Sequence, residues 1–386
     1  MSRALTDSTI LCLSHLRWET TLFQRPQQLM SRFAAMGLPV VYASQSSARR
    51  FARALLGGRW RELAGRAGPH LLYRNWPFLP GAAGSPAIGR LNDGLLGSAA
   101  RRVAARFGPR PLLLWLYHPG LLPAAARVPH DLLVYDCMDP FVAFKAQRDK
   151  ERIAALERAL LARADVVFTG GRTLQATREG INPRTYCFPS GVDLDHFAKA
   201  LDERTSVPED VARLPRPVLG YWGAVDERLD FGLLAHLCRA FPQGSVVLLG
   251  PLVGLERPPV DAPNLHWLGE KEYAALPAYL KAFDVCLLPF AASVLTAATS
   301  PTKTPEYLAG GRPMVATPVP DVAAAWGDVA AIAATPEAFA DAVGRALERP
   351  RPDLSLVAAA RRRAMTWEQI AQAMRERIEE AMRDRH

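Results

Sequence analysis

Cysteine is scarce in this 386-residue chain: there are five, Cys12, Cys137, Cys187, Cys238 and Cys286, each inside or beside an apolar run. None belongs to a C-x-x-C pair. That argues against a zinc site or a disulfide framework and for reduced, buried thiols. Long membrane-type apolar runs are missing too. The uncharged stretch 285–302 holds Pro289, Ser293, Thr296, Thr299, Ser300 and Pro301, whereas a span wants about 20 predominantly apolar residues. It reads as a buried strand followed by a loop. The opening MSRALTDSTILCLS has a short apolar segment and no small-residue cleavage site, so no secretory signal is read and a cytoplasmic location is expected. No low-complexity tract interrupts the chain.

What is present fits a globular protein with large cores: 49% hydrophobic and 22% charged residues. The length suggests two domains at about 100–200 residues each. The net charge of +9 is uneven, with 27 Lys and Arg against 14 Asp and Glu in residues 1–200, and 20 against 24 in the remainder. A basic first half points to an anionic substrate or an anionic surface.

Short apolar runs alternate with helical patterns, twice. Strands are expected at 9–14, 39–43, 71–74, 112–117, 132–135, 165–169 and 185–188, with helices near 23–36 and 150–162. The alternation breaks in a charged, proline-bearing segment and restarts with strands at 218–222, 245–249, 265–267, 284–288 and 314–317. Helices are expected near 229–241, 273–283, 304–310 and 366–385. Uniformly apolar strands imply parallel sheets covered on both faces. The expected architecture is α/β, with two doubly wound Rossmann-like domains: residues 1–200, a linker at 201–216, residues 217–350, and C-terminal helices at 351–386, the last returning to the first domain. Ligands are then expected at the carboxyl ends of the strands, in a cleft between the halves.

The segment 300–317, SPTKTPEYLAGGRPMVAT, is the most informative. Pro305 suits the first turn of a helix, with Thr304 as its cap. A helix start offers free N–H groups to a phosphate, Lys303 adds a point charge, and Glu306, a turn along, could accept hydrogen bonds from ribose hydroxyls.

This segment resembles the nucleotide-sugar site of GT-B glycosyltransferases, especially family 4 (group 1 type), whose pattern runs P-x-K-x-x-E-Y-L-A-x-G-x-P-V-V. Lys303, Glu306, Tyr307, Leu308, Ala309, Gly311, Pro313 and Val315 fit it. Phe168–Gly171, the FPSGVDLDHF run at 188–197, the 221–230 loop YWGAVDERLD and NLHWLG at 264–269 resemble further family segments in the same order. The resemblance implies a GT-B fold and transfer of a sugar from a UDP-sugar or GDP-sugar. The acceptor would be a cell-envelope, polysaccharide or lipid-linked one. Retention of configuration is implied, with no cofactor and no metal. It assigns Lys303, Arg228 and His118 to catalysis. To substrate binding it assigns Glu306, Gly223, Asp226, Thr302, Ser300 and Gly269. Arg25, before Pro26 at a helix start, suits an anion, and Asp136 and Asp139, at i and i+3 beside a strand end, could orient an acceptor hydroxyl.

There are departures. The acidic residue that relatives place before this segment would fall at Ala298 or Val294, and neither is acidic; Leu229 stands where a lysine is usual, which leaves Arg228 as the cation. A non-catalytic nucleotide-sugar-binding partner subunit, or an epimerase on the same fold, is therefore the alternative. Arg49, Arg50 and Arg53 surround Phe51 and Leu55 on an amphipathic pattern suited to an anionic membrane surface. No aromatic platform accompanies these arginines, so nucleic acid is not expected as a partner.

Overall fold

The computed structural model describes residues 5–20, 23–81, 85–108, 110–145, 147 and 149–385. The chain divides into two units. Unit 1 comprises Met1–Val142, Gln147–Pro189 and Trp367–His386; unit 2 comprises Ala143–Ala146 and Ser190–Thr366.

Unit 1 is built on a sheet of eight strands: β1 (Thr9–Ser14), β2 (Val40–Ser47), β3 (Ala64–Arg66), β4 (Leu71–Phe78), β5 (Leu112–Leu116), β6 (Leu132–Cys137), β7 (Val166–Thr169) and β8 (Thr185–Cys187). Their order is β3-β4-β2-β1-β5-β6-β7-β8. All neighbours are parallel except β3, which pairs antiparallel at the edge. Side chains alternate between sheet faces, yet every residue of β1 and of β6 is buried; both faces of these strands are therefore covered, as their unbroken apolar sequences imply. The chain runs outward from β1 in one direction and restarts at β5 beside it, so β1 and β5 flank a topological switch point.

Three helices of unit 1 matter below: α1 (Arg25–Ala35), α2 (Ala48–Leu56) and α3 (Pro86–Ala104). The sequence pattern misses α3 because Gly89, Gly94 and Gly97 depress its helical propensity. Gly97 is required by packing: a Cβ there would come within 2.6 Å of the Ala124 carbonyl oxygen. The last helix, Trp367–Asp384, belongs to unit 1 and places Trp367, Ile370, Met374 and Ile378 in one core with Leu29 and Phe33 of α1.

Unit 2 repeats the plan with β9 (Val218–Trp222), β10 (Ser245–Leu249), β11 (Leu265–Trp267), β12 (Val285–Leu288), β13 (Met314–Ala316) and β14 (Ala331–Ile332). The order is β11-β10-β9-β12-β13-β14, and all pairs are parallel. Its switch point lies between β9 and β12. The segment 201–216, expected as a linker, packs into unit 2 instead. Val211 is buried, and Asp210 accepts hydrogen bonds from Lys271 (2.8 Å) and from the Tyr279 hydroxyl. Apart from the short excursion at Ala143–Ala146, the chain crosses between units at Pro189/Ser190 and at Thr366/Trp367.

Candidate functional site

In unit 2 the two loops at the switch point carry most of the predicted residues. The loop after β9 brings Gly223, Asp226 and Arg228; the segment between β12 and β13 brings Ser300, Thr302, Lys303 and Glu306. Gly223 has φ +136°, a backbone conformation that side-chain-bearing residues rarely adopt. A Cβ there would overlap the Lys303 side chain, lying 2.8 Å from Nζ. Glycine thus lets the strand end approach the lysine.

Lys303 lies over the Tyr221 ring, with Nζ 5.6 Å from its centroid. Among the described residues its ammonium has no ion pair and no hydrogen bond. Burial and the neighbouring Arg228 pull its pKa down to about 8, against the attraction of Glu306 and Asp226. Glu306 is 7% exposed, and its Oε2 accepts a 3.0 Å hydrogen bond from the Trp222 indole Nε1–H. Burial pushes its carboxyl up to about 7, partly offset by Lys303, Trp222 and Thr302. Trp222 was not singled out in the sequence; an aromatic residue closing an apolar strand reads as core, and its bond to a residue 84 positions on leaves no local trace. It also packs edge-on against Tyr307, whose hydroxyl accepts from the Trp222 backbone N–H.

Arg228 is already engaged. Its Nε and Nη2 hold both Asp226 carboxylate oxygens at 2.7–3.1 Å, and its backbone N–H also donates to Asp226. The 300–317 helix spans Lys303–Ala309, so Thr302, not Thr304, occupies the cap position, with no side-chain cap bond. Thr304 lies inside the first turn, where its buried hydroxyl has no hydrogen-bond partner among the described residues. Seven residues make a short helix with a small dipole, so Lys303 contributes more positive potential here than the backbone. Ser300 and Thr302 are half-buried. Gly269 lies two residues past β11 with φ +73°; its carbonyl accepts from Gly250 N–H (2.8 Å). The positions where an acid was sought are apolar in fact as in sequence. Val294 is 75% exposed on a one-turn helix, Val294–Ala297, and Ala298 is buried.

In unit 1 the switch point holds a pair of histidines. His118, after β5, accepts the Gly120 N–H on Nδ1 at 3.0 Å, which assigns its proton to Nε2. Its ring lies 5.1 Å from that of His15, after β1, and 4.4 Å from that of Phe141. Burial lowers His118 to about 4, so it is neutral at pH 7, whereas His15 is exposed to solvent. Arg25 and Asp136, expected to meet substrate, are each other's partners instead. Arg25 Nε lies 3.0 Å from both carboxylate oxygens, Nη1 donates to the Phe188 carbonyl (2.7 Å), and the two side chains are 3% and 0% exposed. A charge buried this deeply needs such a partner; the pair fastens the start of α1 to β6. Asp139 is half-buried just beyond β6, and its carbonyl accepts from the Phe141 N–H. Among the described residues no group of three or more His, Cys, Asp or Glu is placed to hold a metal ion, and no helix is long and apolar enough to cross a membrane.

Comparison with known proteins follows the same division. Residues 217–349 match the family model "Glycosyl transferases group 1". A Bacillus subtilis (strain 168) protein, provisionally named as the teichuronic acid biosynthesis glycosyltransferase TuaH, is 25% identical over 231 residues, 54% of this chain and 55% of that one. The match thus spans about half of that relative's length. Among solved structures, sucrose-phosphate synthase from Thermosynechococcus elongatus superposes with TM-score 0.73 at 18% identity, covering 97% of this chain and 100% of that one. The trehalose 6-phosphate synthase of Burkholderia multivorans gives 0.67 at 14%, covering 98% and 100%. Anabaena HepE in complex with UDP gives 0.62 at 15%, covering 96% and 100%. The fold is GT-B, with two parallel-sheet Rossmann-like units, and the chain resembles group 1 glycosyltransferases.

Proposed function

We propose that the chain is a glycosyltransferase that moves a sugar from a nucleoside diphosphate sugar to a carbohydrate or lipid-linked acceptor of the cell envelope. The observation that carries this reading is Lys303, a desolvated ammonium without an ion-pair partner among the described residues, one turn from the buried Glu306. In this reading the ammonium binds the donor's diphosphate and stabilises the charge that develops as it departs. Arg228, its charge shared with Asp226, adds a weaker field. Glu306, held by Trp222, accepts from the ribose hydroxyls. Gly223, Ser300 and Thr302 let main chain approach the phosphates, and Gly269 lies toward the base. The bond from sugar C1 to the β-phosphate oxygen breaks with its electron pair staying on the diphosphate. The acceptor oxygen bonds C1 on the same face, giving retention, and its proton passes to the departing phosphate. His118 donates through Nε2–H to the sugar or acceptor, and Asp139 orients the acceptor hydroxyl. No resident metal or cofactor is invoked.

The family match, and the complexes of HepE with UDP and with UDP-glucose, support a UDP-sugar donor. The Bacillus relative's name supports an envelope-polymer acceptor. A thermal-shift series with UDP, GDP and their sugars tests the reading. A ligand present at 100 times its Kd adds about 2.7 kcal/mol to stability, so at least one nucleoside diphosphate raises Tm by several degrees; no shift with any of them would refute the donor site. Apolar Val294 and Ala298 favour one second reading, a nucleotide-sugar binder without turnover. It predicts the same thermal shift with no release of nucleoside diphosphate.

A further inference from the structure

Between 46 and 66 the chain carries six arginines and one acid, Glu62. Arg50 and Arg59 already lie within 3.9 and 3.0 Å of Glu62, so the segment keeps a large positive excess. The same segment exposes apolar bulk that a solvated surface does not need. Leu56 is 88% exposed, Trp60 61% and Leu55 41%, all around the turn that ends α2 at Gly57 and Gly58. The exposed arginines Arg49, Arg53 and Arg61 flank them. The neighbouring strand adds Leu79, 40% exposed, just past the end of β4 where Phe78 pairs with Ser47. Exposed apolar side chains interspersed along the chain with exposed arginines match a bilayer interface, where leucine and tryptophan enter the acyl boundary while arginines meet lipid phosphates. A face for a protein partner would not need so one-sided a charge.

The position of this patch has a consequence. α2 leaves the carboxyl end of β2, and His118 and Asp139 follow the carboxyl ends of the parallel strands β5 and β6. Patch and candidate acceptor residues thus share one edge of the unit 1 sheet. We propose that Leu55, Leu56 and Trp60, together with Arg49, Arg53 and Arg61, form a docking face for an anionic phospholipid bilayer. This face holds the acceptor-side edge of unit 1 at the membrane surface. Only the purpose given to the docking rests on the glycosyltransferase reading; the surface itself does not.

Vesicle co-sedimentation of the full chain tests this. Vesicles of phosphatidylcholine alone are compared with vesicles containing about one third phosphatidylglycerol, at low and at physiological salt. The wild type is expected to pellet with the anionic vesicles and remain in solution with the zwitterionic ones. Each arginine near the surface adds about fivefold in affinity, so the triple variant R49Q/R53Q/R61Q is expected to lose at least tenfold. Loss of two inserted side chains in L56S/W60S, which leaves the charge intact, is expected to weaken binding by a similar factor and to make the remainder more salt-sensitive. Both variants should keep the wild-type UDP thermal shift, which shows that they fold and separates failure here from failure of the donor reading. Absence of wild-type binding, equal binding to both lipids, or unaltered binding in L56S/W60S would overturn the proposal. So would a concentration-dependent dimer, seen by analytical ultracentrifugation, that L56S/W60S abolishes while vesicle binding is absent.

Discussion

The buried arginine at the switch point of unit 1 has its carboxylate partner, whereas one cation at the switch point of unit 2, Lys303, has none among the described residues. In unit 1, Arg25 and Asp136 close on each other in a dry site, and His118 is neutral. In unit 2, Arg228 and Asp226 form a similar pair, but Lys303 stays charged at pH 7 with no ion-pair partner among the described residues. Each unit winds outward from its own switch point in the same way, so topology alone does not separate scaffold from site. The separation comes from the pairing of charge: a buried ion pair holds structure together, and an unpaired, partly desolvated ammonium is costly unless something anionic is meant to reach it.

Breaking the matched pair should give the largest effect. Arg25→Ala leaves Asp136 buried without its partner and is expected to cost roughly 3–5 kcal/mol in urea unfolding, with UDP affinity unchanged under native conditions; a loss below about 1 kcal/mol would show that the pair is not structural. Lys303→Ala should do the reverse. It removes roughly 2–4 kcal/mol of leaving-group stabilisation, read as a fall of about a hundredfold or more in kcat/KM, with little change in unfolding free energy. If stability falls and turnover holds, the contrast between the units is wrong. Trp222→Phe keeps the ring but deletes the donor to Glu306. Hydrogen bonds to charged groups contribute about 1.5–3 kcal/mol, so UDP affinity should drop about tenfold or more; an unchanged Kd would detach Glu306 from the nucleotide. The smallest effect is on pH dependence. The Lys303 ammonium is complete below about 8 and is lost as pH rises through it. The kcat/KM profile should therefore fall on its alkaline side, and Lys303→Arg should move that limb out of range.

Much of the fold was legible because strands buried on both faces leave continuous apolar runs; 9–14 and 218–222 are read from sequence with the bounds the structure gives. The three-residue antiparallel edge strand β3 and the glycine-bearing α3 leave no such signal. In the site, the 300–317 segment was legible because Lys303, Thr302 and Glu306 sit within one turn of chain. The pairing of Arg25 with Asp136 was not legible because it spans 111 residues, a distance at which sequence shows two charges and not one ion pair. Trp222 was overlooked for the same reason.

Isothermal titration of UDP into wild type and Lys303→Ala, each at pH 7 and pH 9, addresses the contrast at its root. An ammonium reserved for a diphosphate predicts tight binding by wild type at pH 7, weaker binding at pH 9, and a loss of about thirtyfold in the variant at pH 7, equivalent to roughly 2 kcal/mol. Equal affinities for the two proteins at pH 7 would contradict it.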